Sequence, residues 1–272
     1  MKQRTTVVLG GTGKTGRRVV AGLAARGVPV RAASRSGAVP FDWERPEGWG
    51  AALAGATAVY AAYSPDLAAP GATEAMRELG RVCASRGVER LVLLSGRGEP
   101  QAQVSESALR AGLDGVTVLR AAWFAQNFSE GHLAGAVAQG ELALPGGEVA
   151  EPFVDAGDVA EAAVVALLDD AHAGKVYELT GPRLLTFTEV ASEIVAATGR
   201  PLRYVPITRA QLEEGLTREM PPEHAAFFAD LFTFLLDGHN AHLTADLPRL
   251  LGRPPRDFRA FVETAAKSGV WS

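Results

Sequence analysis

"VVLGGTGKTGRRVV", residues 7–20, satisfies two phosphate-binding patterns at once. Its core "GTGKT" matches the end of a triphosphate-binding P-loop, while its glycines also match a dinucleotide-binding turn. The P-loop pattern G-x-x-x-x-G-K-[S/T] needs a glycine at position 8, where the chain has Val8 inside a β-branched run. Without it the loop is too short to wrap phosphates with successive amides. The later strand-like runs "AVYAAY" and "RLVLLSG" also end without a carboxylate to hold magnesium. The dinucleotide reading needs only what is there. Gly10, Gly13 and Gly16 stand in G-x-x-G-x-x-G, directly after a strand pattern and opening a helix pattern over 14–26. Glycine permits the tight turn and a close backbone approach, and the helix start offers free amides to a pyrophosphate.

Outward from this turn, short β-branched runs alternate with alanine-rich segments of helical period. The runs "PVRAASR", "AVYAAY", "RLVLLSG" and "VTVLRAA" are separated by helices predicted near 48–54, 71–86 and 101–112. Such alternation specifies βαβ units and a parallel sheet. After Trp123 the regularity loosens through glycine-rich "GELALPGGEVAEPF". A helix over 158–168, the strand-like "KVYELT", a helix "TFTEVASEIVAATG", the run "RYVPI", an aromatic helix over 223–236 and a last helix over 256–266 follow. The division this predicts is a nucleotide-binding core over 1–122, its sheet completed by a strand near 176–179, and a smaller lobe built mostly from 123–272.

The remaining bounds are broad. The 272 residues are 47% hydrophobic and 21% charged, enough to bury a large core, and the formal charge is −4. A basic stripe is missing, which argues against a nucleic-acid partner. No uncharged apolar run reaches membrane-spanning length, and the start lacks the apolar stretch of a secretory signal, so a cytoplasmic protein is expected. The single Cys83 cannot form an internal disulfide and reads as packing.

Cofactor preference is read at the end of the second strand. An NAD-selecting turn offers a carboxylate there for the ribose hydroxyls, and this chain offers "RAASRS". Arg35, helped by Ser34, Arg31 and Lys14, would instead pair with a 2′-phosphate, which favours NADP(H). Asp42 in "FDW" stands where a carboxylate could take the adenine amino group.

Together these segments resemble the NmrA-like family of atypical short-chain dehydrogenases/reductases, which includes NADPH-dependent quinone reductases and redox-sensing regulators. The glycine turn, "VRAASRS", "RGVERLVLLSG", "SALRAGLDGVTVLRAAWFAQNF", "PFVDAGDVAEAAVVALLDD" and "GKVYELTGPRLLTFTEVASEIVAATGRPLRYVPI" carry the resemblance in the family's order. It implies an α/β Rossmann-type doubly wound parallel sheet with a smaller C-terminal substrate lobe. It also implies that Thr12, Lys14 and Thr15 join the three glycines at the pyrophosphate. Ala61, Ala62 and Tyr63 would flank ribose and nicotinamide, Ser95 would sit at the nicotinamide edge, and Trp123, Phe124 and Asn127 would line the substrate pocket.

One departure governs the chemistry. Short-chain dehydrogenases use Tyr-x-x-x-Lys, the lysine making the tyrosine a better acid. Here Tyr60, Tyr63, Tyr177 and Tyr204 are followed four residues later by Ser64, Leu67, Gly181 and Thr208. The dyad is absent, which leaves two chemistries: hydride transfer to an electrophile whose anion is delocalised, or use of a substitute acid, for which Ser95, Tyr63 and His132 are the candidates. The expectation is an NADPH-dependent oxidoreductase acting on a small aromatic or polycyclic quinone, enone or ketone, with specialised metabolism as one setting. The alternatives are an NADP(H)-binding sensor without turnover, or a non-redox isomerase or cyclase on the same fold.

Other features read more plainly. Asp237, His239 and His242 in "DGHNAH" suit a loop after a helix better than a metal site, so no metal is expected. Asp155 and Asp158 read as helix-capping residues. Phe228, Leu231, Phe232 and Leu235 form one apolar helix face. The extra Phe227 and Phe234 widen it enough for a lid over an aromatic substrate, to which Phe228 and Phe232 would contribute, or for the subunit contact of a homodimer.

Overall fold

Seven short strands build one parallel sheet in the computed structural model, which describes residues 5–131 and 133–271. In chain order they are β1 (Thr6–Leu9), β2 (Val30–Ser34), β3 (Val39–Pro40), β4 (Ala58–Ala61), β5 (Arg90–Gly96), β6 (Thr117–Ala121) and β7 (Val176–Leu179). The spatial order is β3-β2-β1-β4-β5-β6-β7. The strand order reverses between β1 and β4, and doubly wound sheets bind ligands outside the strands' carboxyl ends at such a point. All of β1 and β4 is buried, as a sheet covered on both faces requires.

The described chain divides into two units. The first, residues 5–121, 156–179 and 245–254, holds this sheet and the helices α1 (Gly16–Ala25), α2 (Trp49–Ala52), α3 (Ala72–Ser85), α4 (Pro100–Arg110), α5 (Ala156–Leu168) and α6 (Asp246–Leu251). Helices α1 and α5 pack together, as do α3 and α4. Met76, Leu79, Val82 and Leu109 from α3 and α4 join Val59, Leu91, Leu93 and Val118 of the strands in one apolar core. Cys83 is fully buried there, and burial pushes its thiol up to about 12, which makes it inert at neutral pH.

The second unit, residues 122–155, 180–244 and 255–271, is centred on rings. Phe128, Phe153, Phe187 and Phe258 meet at centroid distances of 5.5–6.4 Å. The glycine-rich stretch that looked irregular contains two short strands. Glu141–Leu144 pairs in parallel with Arg203–Pro206, and Ala150–Glu151 pairs antiparallel with Leu185–Thr186. Glycine supplies the turn between them: Gly147 has φ +50°. A helix the periodicity did not announce, Arg209–Leu216, is started by a reciprocal cap in which Thr208 accepts from the Gln211 amide and the Gln211 side chain accepts from the Thr208 amide. The aromatic helix spans Pro222–Leu235 and the last one Phe258–Lys267. Among the described residues no helix is long and apolar enough to cross a membrane.

Candidate functional site

The chain leaves β1 at Leu9 and turns at Gly10, whose φ of +76° is open to glycine and costly for other residues. The Gly10 and Gly11 amides both donate to the Ala33 carbonyl of β2, and Gly13 N–H donates back to Gly10 O at 2.9 Å. The turn has no room for side chains. A Cβ on Gly16 would overlap the Gly10 carbonyl oxygen and come within 2.8 Å of its carbon, and one on Gly11 would lie 2.8 Å from Ala32 Cα. Gly11 is therefore a packing glycine that the G-x-x-G-x-x-G spacing did not single out. The doubled "GG" was its only signal. Thr12 and Gly13 are exposed at the tip, Lys14 is half-buried, and α1 begins at Gly16. Exposed backbone at a helix start, cradled by glycines that a Cβ would fill, fits a pyrophosphate.

Thr15 differs from its neighbours. It is buried, and its hydroxyl oxygen accepts a 2.8 Å hydrogen bond from the fully buried Tyr60 of β4. Its side chain thus ties the turn to the sheet. Tyr60→Phe is expected to cost about 1 kcal/mol of stability, the usual worth of one buried hydrogen bond, measurable by urea denaturation.

At the carboxyl end of β2, Ser34 is buried with an Oγ that has no hydrogen-bond partner among the described residues, and Arg35 follows it exposed to solvent. A buried hydroxyl whose O–H is unspent, beside an exposed guanidinium, offers hydrogen-bond donors that suit a phosphate. Arg31 does not take part. Its guanidinium donates to Ala54 O in the loop leading into β4, toward the other end of the sheet. Asp42 directly follows β3. Its Oδ1 accepts from the Glu44 amide at 3.1 Å, and its carbonyl accepts from the Trp49 indole at 2.7 Å.

Beyond β4, Ala61 is buried and Ala62 and Tyr63 are half-buried. A Cβ on Gly10 would stand 3.2 Å from Ala62 O, so the glycine turn and this loop run side by side. The Tyr63 ring lies 5.0 Å from that of Trp43. Burial, followed by the charges of Glu44 and Glu74, raises its hydroxyl above the ordinary tyrosine range. A dyad lysine would have the opposite effect, so Tyr63 is a poor acid here.

Ser95, buried near the end of β5, donates to Glu106 Oε1 of α4 at 2.6 Å. Arg120 of β6 grips the same carboxylate through Nε and Nη2 at 2.7–3.2 Å. With its one proton committed to Glu106, Ser95 faces other groups as an acceptor. Glu106 and Arg120 are site residues that sequence reasoning missed. His132, the third acid weighed, lies outside the described residues.

A second carboxyl group, also unforeseen, stands at the same strand end. Glu99 is 6% exposed, and its carboxyl lies where a Cβ on Gly96 would be. It is hydrogen-bonded to Asp66 of the loop after β4. Burial first, then the charge and hydrogen bond of Asp66, push Glu99 up to about 9. A group raised in the fold favours the folded state most below its unfolded value, and that contribution is lost as pH climbs through the raised value. Glu99→Gln, which keeps the shape and a donor toward Asp66, is therefore expected to raise Tm at pH 8 relative to wild type by more than at pH 5. Thermal unfolding at the two pH values checks this.

In the second unit, Trp123 is buried with its ring 5.1 Å from Phe232 and 5.9 Å from Phe187, and Phe228 lies 5.9 Å from Phe232. The structure thus joins Trp123, Phe232 and Phe228 into one aromatic series. Phe124, half-buried, bridges to Val154, and Asn127 opens the short helix Asn127–Glu130. Asp155 accepts from Gln126 Nε2 at 2.7 Å, and in the first unit the buried Asp158 accepts from Arg253 at 2.7 Å. Asp237 and His239 bond to each other, and among the described residues no group of three or more His, Cys, Asp or Glu could hold a metal ion.

Comparison with known proteins agrees with the nucleotide-binding fold. The profile of an NAD(P)H-binding family matches residues 10–170. The chain is similar to the uncharacterized oxidoreductase YesF of Bacillus subtilis, at 32% identity covering 100% of this chain and 98% of that one. It is similar to an NAD(P)H azoreductase of Xenophilus azovorans at 30% identity, covering 96% and 97%. In fold it resembles the triphenylmethane reductase of Citrobacter sp. complexed with NADP(H), with a TM-score of 0.75, 22% identity, and coverage of 96% and 99%.

Proposed function

The chain belongs to the NAD(P)H-binding family, and from that premise we propose that it is an NADPH-dependent reductase that passes hydride to a small aromatic electrophile, a quinone, enone, ketone or cationic dye. The observation that carries the choice of cofactor is the end of β2, where the partnerless Ser34 hydroxyl and exposed Arg35 stand in place of a carboxylate. When bound, NADPH supplies the hydride.

The chain's own residues hold and orient. Gly10, Thr12, Gly13, Lys14, Thr15 and Gly16 would take the pyrophosphate, Ser34 and Arg35 the 2′-phosphate, and Asp42 the adenine amino group. Ala61, Ala62, Tyr63 and Ser95 would bound the ribose and nicotinamide. Ser95, its proton committed to Glu106, would accept from a carboxamide N–H. Trp123, Phe124, Asn127, Phe228 and Phe232 would meet the acceptor. Support for an aromatic acceptor comes from this ring series and from the two similar reductases, one of azo compounds and one of triphenylmethane dyes. Without a tyrosine–lysine dyad, rate would come chiefly from positioning, which supplies several kcal/mol when the reacting atoms are aligned.

Fluorescence titration with NADPH and NADH, followed by a panel of quinones, enones, ketones and triarylmethane dyes, tests the proposal. The expected result is preferential NADPH binding and loss of its absorbance with at least one aromatic acceptor. Binding without turnover across the panel would move the assignment to a sensor.

A further inference from the structure

Reduction of a neutral acceptor needs a proton as well as a hydride, and the residues just described leave few sources for it. Tyr63 is held protonated more firmly than a free tyrosine, and Ser95 spends its proton on Glu106. The carboxyl pair is different. Two ionised carboxylates repel each other, so a hydrogen bond between Asp66 and Glu99 requires one shared proton. Glu99 Oε2 is enclosed with no N–H or O–H among the described residues to bond. The Asp66 carboxyl receives the Ala68 amide at 2.7 Å, which leaves Asp66 the better anion and Glu99 the better acid. The other charge facing Glu99 is Glu106 from α4, itself balanced by Arg120 of β6.

The place is as informative as the proton. Glu99 rests on Gly96, the residue after Ser95 and the last of β5, and Asp66 is on the loop after β4 whose Ala62 runs beside Gly10. The pair therefore stands at the carboxyl edge of the sheet, the edge that carries the glycine turn. We infer that the Asp66–Glu99 pair is the proton store of this reductase, with Glu99 giving up the proton that completes reduction of a neutral acceptor. This rests on the reductase reading above.

A quinone takes up both a hydride and a proton. Hydride brings two electrons and one hydrogen nucleus and leaves a hydroquinone monoanion. The Glu99 O–H bond breaks, its proton joins the anion's oxygen, and the doubly ionised pair is recharged from water. A cationic triarylmethane dye is neutralised by hydride alone and draws no proton. The two acceptors thus separate hydride transfer from proton supply.

Two measurements test the inference. Infrared difference spectra of the cofactor-free protein between neutral and alkaline pH should show a carboxylic-acid carbonyl band that disappears on the alkaline side, and Glu99→Gln should abolish it. In turnover with NADPH, Glu99→Gln should lower the ratio of naphthoquinone to crystal violet reduction by about a hundredfold, the lower range of general-acid effects. Asp66→Asn, which keeps a hydrogen-bonding partner, should shift the infrared transition to lower pH. A missing acid band at neutral pH, or an unchanged acceptor ratio, would overturn the inference. Wild type inactive with both acceptors would instead sink the reductase reading, with the infrared result still deciding whether the proton is stored.

Discussion

Gly16→Ala is expected to weaken NADPH binding by about tenfold to hundredfold while leaving the sheet folded. The added methyl would overlap the Gly10 carbonyl oxygen and approach Gly11 Cα to 3.0 Å. These are backbone atoms, fixed by the paired bonds of Gly10 and Gly11 to Ala33 O. The turn can accept the methyl only by opening, and opening would move the amides at the start of α1 away from the place proposed for the pyrophosphate. Overpacking of this kind costs roughly 1–3 kcal/mol, which corresponds to about a tenfold to hundredfold loss of NADPH affinity. Gly48→Ala is the matched control, because a Cβ there meets nothing within 4 Å. Fluorescence titration of both variants, with circular dichroism to confirm folding, checks the expectation. Equal affinities would remove the turn from the binding site.

Arg35→Ala is expected to change which cofactor is bound rather than whether one is bound. Charge-assisted hydrogen bonds contribute about 1.5–3 kcal/mol, so NADPH affinity should fall by about tenfold to hundredfold. NADH, lacking the 2′-phosphate, should bind with near wild-type affinity. Arg35 is exposed, and the neighbouring Ser34 hydroxyl has no partner among the described residues. Adding Ser34→Ala should widen the loss for NADPH alone. Parallel losses for both cofactors would mean that Arg35 supports the fold of the turn and reads no phosphate.

Much of the fold was legible because its signals are local. The spacing of Gly10, Gly13 and Gly16 between a β-branched run and an alanine-rich segment announces a strand, a turn and a helix, and these are β1, the cradle and α1. Strands buried on both faces read as unbroken aliphatic runs, and so β4, β5 and β6 were visible too. The second unit was harder to read because its order is non-local. Glu141–Leu144 finds its partner strand only at Arg203–Pro206, and the Thr208 and Gln211 cap is a four-residue signal inside a sequence with weak periodicity.

The site divides along the same line. Glycines and Arg35 can be named from spacing, because a backbone turn and a strand end fix where they stand. The groups that govern proton chemistry cannot. Glu99 and Asp66 follow different strands and meet only because β4 and β5 pair, and the commitment of Ser95 depends on a carboxylate from α4 held by an arginine from β6. A reading by residue type gave Ser95 and Tyr63 as acids. Their surroundings make one an acceptor and the other a weaker acid than usual.

The central claim is that this chain consumes NADPH to reduce an aromatic acceptor. The most direct test is a single-turnover experiment on the preformed NADPH complex mixed with naphthoquinone, following nicotinamide absorbance and hydroquinone formation together. Equal amounts of NADPH lost and hydroquinone formed are expected. A complex that forms and then persists unchanged in the presence of the acceptor would contradict the claim.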